Sequence, residues 1–174
     1  MSNKKSIINW LKKMNMEVLY NENNLLSLKL DKYGYTGGAH GVNIILYRVF
    51  NLLQNRPLEL KDIFIDGYEE ELTRILDKKL RRLNGINPDE NLLESGFLID
   101  SLAHTDNFYV NNDGIGFFYN VYEIAAYATG STELFCSFYD LKGILRQDHP
   151  FFLDLKLKPV PEVRHRVPLT RNIS

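Results

Sequence analysis

From Leu25 to Tyr35 apolar and polar positions alternate, with Leu26, Leu28 and Leu30 on one side and Ser27, Lys29 and Asp31 on the other. A period of two predicts a half-buried strand, whose polar side Tyr33 and Tyr35 continue. Asn43 to Phe50 is apolar at nearly every position, the pattern of a central strand. The period then lengthens. Leu72, Ile75, Leu76, Leu80 and Leu83 recur at spacings of three and four, which predicts one long helix over about 68–83. Glu69, Glu70 and Glu71 open it, and Lys78, Lys79, Arg81 and Arg82 lie toward its end. That order complements the helix dipole and reads as a solvated helix end rather than a binding patch.

Shorter elements surround this frame. Ile7, Ile8, Leu11 and Met14 share one helical face, so residues 4–14 are expected to form a short packed helix. Leu60–Phe64 reads as a single helical turn that tucks Phe64 inward, and "NPDENLLES" as a short helix starting at Pro88. Asn107–Val110 and Ile115–Val121 flank Asn111-Asn112-Asp113-Gly114, a strong hairpin signal. Glu133–Phe138 is a further strand and Tyr139–Arg146 a short closing helix. Strands, then helices, then strands give an α+β fold: a largely antiparallel sheet packed against the long helix and shorter ones. Residues 1–24 form an N-terminal segment and 25–146 the domain. The four prolines from Pro150 onward mark 147–174 as an extended or disordered tail.

A net charge of −1 over 174 residues offers no electrostatic basis for nucleic-acid binding. No apolar run reaches the roughly 20 residues of a membrane-spanning helix. The first residues carry lysines but no continuous apolar stretch, so no signal peptide is read.

"YGYTGGAHG", Tyr33 to Gly41, holds four glycines and a histidine. A phosphate loop needs Lys-Ser/Thr after its last glycine and a helix beyond it; here a strand follows. Gly37, Gly38 and Gly41 are therefore assigned to a structural turn, with His40 bonding across it. His40, His104, His149 and His165 have no metal-ligand spacing. Cys136, the single cysteine, lies among aromatics and reads as a small buried hydrophobe. No G-x-S-x-G motif occurs. In "VYEIAAYATG", Tyr122 and Tyr127 flank Glu123, a carboxylate that needs partners if buried; the backbone of the glycine turn is the expected one. No catalytic residue, metal or cofactor is assigned. The candidates for ligand binding are Tyr33, Tyr35, His40, His104, Tyr122, Glu123 and Tyr127.

The ordered segments "YTGGAHG", "LELKDIF" and "DNFYVNNDGIGFFYNVYEIAAYATG" resemble a bacterial domain-of-unknown-function family. It forms the C-terminal part of a lysozyme-sensing anti-sigma factor (RsiV-like proteins) and also lies beside the catalytic domain of a peptidoglycan deacetylase. The likeness spans about Leu25 to Leu145, with Ala126 where the family usually has proline. It implies a non-enzymatic binding or sensing domain of the cell envelope, whose partner is lysozyme, another protein or peptidoglycan. The location it implies is extracytoplasmic, with a cytoplasmic one as the alternative. The residues 1–24 then stand as the remnant of a companion region. The competing reading is a hydrolase acting on the cell wall through His40, His104, Asp106 and Glu123, or an accessory domain to one.

Overall fold

Asn23 and Asn24 both take left-handed backbone conformations, with φ of 52° and 59°. Two successive residues at positive φ make the tight hairpin turn that suits the right-handed twist of the flanking strands, and asparagine tolerates it well. Around it β1 (Leu11–Glu22) and β2 (Leu25–Tyr35) pair from Leu11↔Tyr35 to Glu22↔Leu25. The expected helix over 4–14 is therefore replaced by strand from Leu11 onward; residues 1–9 lie outside those described. Met14, Met16 and Val18 alternate with Asn15 and Glu17, and pairing along the whole of β2 decides in favour of the strand. This computed structural model describes residues 10–37 and 40–146.

β3 (Val42–Asn51) pairs antiparallel with β2, and the two-residue β4 (Arg56–Pro57) closes a four-stranded sheet in the order β1-β2-β3-β4. A second antiparallel sheet runs β5 (Phe108–Val110), β6 (Gly114–Tyr119), β7 (Thr132–Ser137). The fold is α+β, as the pattern predicts, with its strands divided between two sheets. The proposed helix at Pro88 is instead a run of turns. There the Asn91 side chain takes the Leu93 N–H, and Gly96, at φ 88°, ends the segment.

Helix α2 (Tyr68–Asn84) buries Leu72, Leu76 and Leu80 completely, each such side chain contributing about 1.5–3 kcal/mol. Gly85, in the left-handed region, stops it. Arg81 is not simply solvated: it pairs with Asp77 and donates to the carbonyls of Asn87 and Glu90, which holds the chain after the helix. Turn α1 (Leu60–Ile63) delivers Phe64 fully buried, and α3 (Phe138–Leu141) is tied to α2 by Lys79 and Asp140 at 3.1 Å. All six residues of β6 are buried. Phe117 joins the main core with α2, while Phe118 joins a second cluster with Ile45 and Tyr47 of β3.

Small polar side chains join the two sheets. The Ser27 hydroxyl donates to the Val110 carbonyl at 2.7 Å and accepts from the Val110 N–H at 3.2 Å. Ser27 is fully buried, so the polar side of β2 is the one that faces the interior over its first residues, while Leu26, Leu28 and Leu30 are only half-buried. Along the edge of β3 away from β2, the Asn120 amide accepts from Ile45 N–H (2.7 Å) and donates to Ile45 O (3.1 Å). The Asn107 amide accepts from Tyr47 N–H (2.7 Å) and donates to the same Ile45 carbonyl (2.9 Å). Two side-chain amides thus replace a neighbouring strand.

Candidate functional site

Tyr33 and Tyr35 stand two apart on β2, past the end of the core, and both are half-buried. The Tyr33 ring lies so close over Gly41 that a Cβ there would collide with its hydroxyl and ring carbons. That close approach is why glycine is required at 41. Gly37 has φ 100° and turns the chain out of β2; Gly38 lies outside the described residues.

Exposed His40 follows. Its Nδ1 is 3.1 Å from the Gly41 carbonyl oxygen and donates to it in the Nδ1-protonated tautomer. Its ring stacks on Tyr127, with centroids 4.2 Å apart and planes at 20°. Tyr127 belongs to a 3-10 turn (Tyr127–Thr129) in the β6–β7 connection, and its other aromatic neighbour is Tyr122 at 5.9 Å. Tyr122 is 53% exposed and sits at φ 69°. A bulky residue in the left-handed region is a genuine outlier and costs about 1–2 kcal/mol. Three rings from two distant segments therefore form one exposed surface.

Glu123 bonds close to home. It is exposed, and it accepts from the Asn120 N–H at 2.8 Å and from the Asn120 amide at 3.4 Å. The turn itself brings this about, since Glu123 N–H donates to Asn120 O and folds the carboxylate back. Glu123 thereby orients the asparagine that holds β3; among the described residues its carboxylate bonds to Asn120. His104 lies in another neighbourhood, edge-on to Tyr68 of α2 and 3.5 Å from Thr73 Oγ1.

Cys136 is fully buried, and burial pushes its thiol up to about 12, so at neutral pH it is no nucleophile. Tyr109, covering Gly116, is raised above the usual tyrosine range first by burial and then by Glu133, to which its hydroxyl donates at 2.6 Å. Among the described residues no three His, Cys, Asp or Glu side chains are grouped to hold a metal ion. The sheet-joining residues Ser27, Asn107 and Asn120 escape sequence reasoning. Their one local signal is the position of the two asparagines, directly before β5 and directly after β6.

Fold and surface together define a small α+β domain of two antiparallel sheets that displays an aromatic cluster where the β2–β3 and β6–β7 connections meet. Residues 61–138 match the family described as protein of unknown function (DUF3298), and residues 1–43 match that of deacetylase PdaC. The chain is thus similar to the DUF3298 family over its central part and to PdaC in its N-terminal region. It is 25% identical over 126 residues to the peptidoglycan-N-acetylmuramic acid deacetylase PdaC of Bacillus subtilis, a match covering 71% of this chain and 27% of that protein. A crystal structure of a DUF3298 family member from Bacteroides fragilis superposes with a TM-score of 0.78 at 34% identity, covering 86% of this chain and 59% of that one. Another, from Pseudomonas aeruginosa, gives 0.69 at 22% identity, covering 82% and 64%, a likeness of fold alone. The chain spans about a quarter of the curated relative and about three-fifths of each solved structure. No helix among the described residues is long and apolar enough to cross a membrane.

Proposed function

We propose that this is a non-enzymatic binding domain of the bacterial cell envelope, which takes its ligand on the surface of Tyr122, Tyr127 and His40. The observation that carries the reading is Tyr122, whose exposed ring is held out by a strained backbone. Strain of this kind persists where the surrounding structure imposes it, and it clusters at ligand-binding sites. Flat, amphipathic rings give rigid contact area for a sugar ring or a protein side chain. A glycan of the cell wall fits best, because the B. subtilis relative is named for action on peptidoglycan. A lysozyme-like protein is the other ligand that the family resemblance implies. The hydrolytic alternative has less support: His104 packs against α2, and Glu123 is engaged with Asn120.

The test is co-sedimentation with purified peptidoglycan, in parallel with capture on immobilised lysozyme. Wild-type protein is expected in the bound fraction of one of them, with Tyr122→Ala and Tyr127→Ala lost from it. Failure of the wild type to bind either at high concentration removes the proposal. Release of sugar fragments or acetate from peptidoglycan would instead favour the enzyme.

A further inference from the structure

The outer face of the first sheet is apolar and uncovered among the described residues. Met14, Met16, Val18 and Ile44 are 69%, 63%, 59% and 42% exposed, with Leu28 and Leu46 half-buried between them. Register places these residues on one face: Met16 is opposite Leu30, Val18 opposite Leu28, and Leu30 opposite Leu46. The charges on that face are all positive. Lys12 and Lys32 stand at one end and Arg48 on the β3 side. Its one neutral polar side chain is Asn21, opposite Leu26 at the end of the strands away from Lys12 and Lys32.

We propose that this face docks on a membrane surface bearing anionic headgroups. Apolar side chains with cations at the margin match acyl chains below a negative headgroup layer. A protein interface carries about one hydrogen bond per 100–200 Å², and this face offers a single neutral side chain to make one, Asn21 at its end. A second copy stacked on it would oppose cation to cation. Exposed apolar patches of this kind mark interaction sites. This site is separate from the aromatic surface, and the two stand or fall independently.

Trp10, the chain's single tryptophan, is 68% exposed directly before β1 and reports the event. Purified protein is mixed with vesicles of phosphatidylcholine alone or with phosphatidylglycerol added, and both flotation and Trp10 emission are followed. Binding and a blue shift are expected with the anionic vesicles, weakening as salt is raised. Lys32→Gln combined with Arg48→Gln lowers the partition coefficient roughly thirtyfold, since each cation near such a surface contributes about a fivefold factor. Met16→Gln combined with Ile44→Gln, at exposed positions, abolishes the blue shift while the thermal melt stays that of the wild type. The proposal is overturned by absence of binding to anionic vesicles, or by equal binding to neutral ones. It is also overturned if the Met16/Ile44 variant binds like wild type, or if that variant dissociates a lipid-free dimer, which would make the face an interface between copies.

Discussion

Asn107 and Asn120 share one acceptor, and that sharing makes a prediction with a definite sign. In Asn120→Ala the Ile45 N–H loses its partner, while the Ile45 carbonyl keeps the Asn107 amide. In Asn107→Ala the Tyr47 N–H is orphaned, while the carbonyl keeps the Asn120 amide. One buried donor left unpaired costs about 1–3 kcal/mol, so each single variant is expected to lose about 2 kcal/mol. With a urea slope near 1.5 kcal/mol per molar, the midpoint falls by about 1.3 M. The double variant orphans both N–H groups and, in addition, the carbonyl that neither single change exposes. Its loss therefore exceeds the sum of the singles by about 1 kcal/mol. Urea melts of the four proteins, followed by far-UV circular dichroism, complete the cycle. Additive or sub-additive losses would refute the shared-acceptor reasoning, because they would mean that β3 already detaches, or takes on water, after the first substitution.

Tyr122→Gly relieves the left-handed backbone, whereas Tyr122→Ala retains it, so the glycine variant is expected to be more stable by about 1 kcal/mol; equal urea midpoints would show that the conformation is not strained in solution. Both variants should lose the proposed ligand. Asp62 lies below its ordinary value of 3.8, chiefly through the hydrogen bond from Arg56. For Asp140 burial pushes upward, but hydrogen bonds from Ser137 and Lys79 outweigh it and hold that carboxyl low as well. Groups depressed on folding stabilise above the unfolded value and lose that contribution as pH falls through the folded one. Wild-type stability should therefore drop below about pH 4, and Asp62→Asn with Asp140→Asn should be less stable at neutral pH but flatter in acid. An equally steep acid loss in that variant would assign the acid sensitivity to other groups. Cys136, with its thiol raised to about 12 and no exposure, should resist Ellman's reagent at pH 8 until urea unfolds the chain; prompt labelling of the native protein would contradict its burial.

What could be read from the sequence follows from where the information lies. Helix α2 was legible because a 3.6-residue period over 17 residues admits one solution, and the Asn111–Gly114 hairpin because its turn chemistry is local. Leu11 to Met14 admitted two solutions, and the choice between them was made by pairing with β2, which no short window contains. For β2, alternation told which residues share a face but not which face is covered. The leucines were the natural choice, yet the interior took Leu25 and Ser27, because Ser27 alone meets both backbone groups of Val110. Asn107 and Asn120 act on β3 from 60 and 75 positions away, and nothing near them in the chain announces it.

That inversion of β2 bears on function. Local and tertiary preferences ordinarily agree in a natural sequence, and where they part company a functional demand is the usual cause. Here they part twice. Leucines, methionines and isoleucine that a folding chain would cover stay at the surface of the first sheet, and a tyrosine occupies a backbone position suited to glycine. Substituting polar residues for the exposed Met16 and Ile44, or glycine for Tyr122, should cost little or no stability, since neither is bought back by packing. The presence of both features in one small domain is best understood if each meets something of its own outside the chain: the sheet a charged apolar boundary, and the tyrosine a ligand.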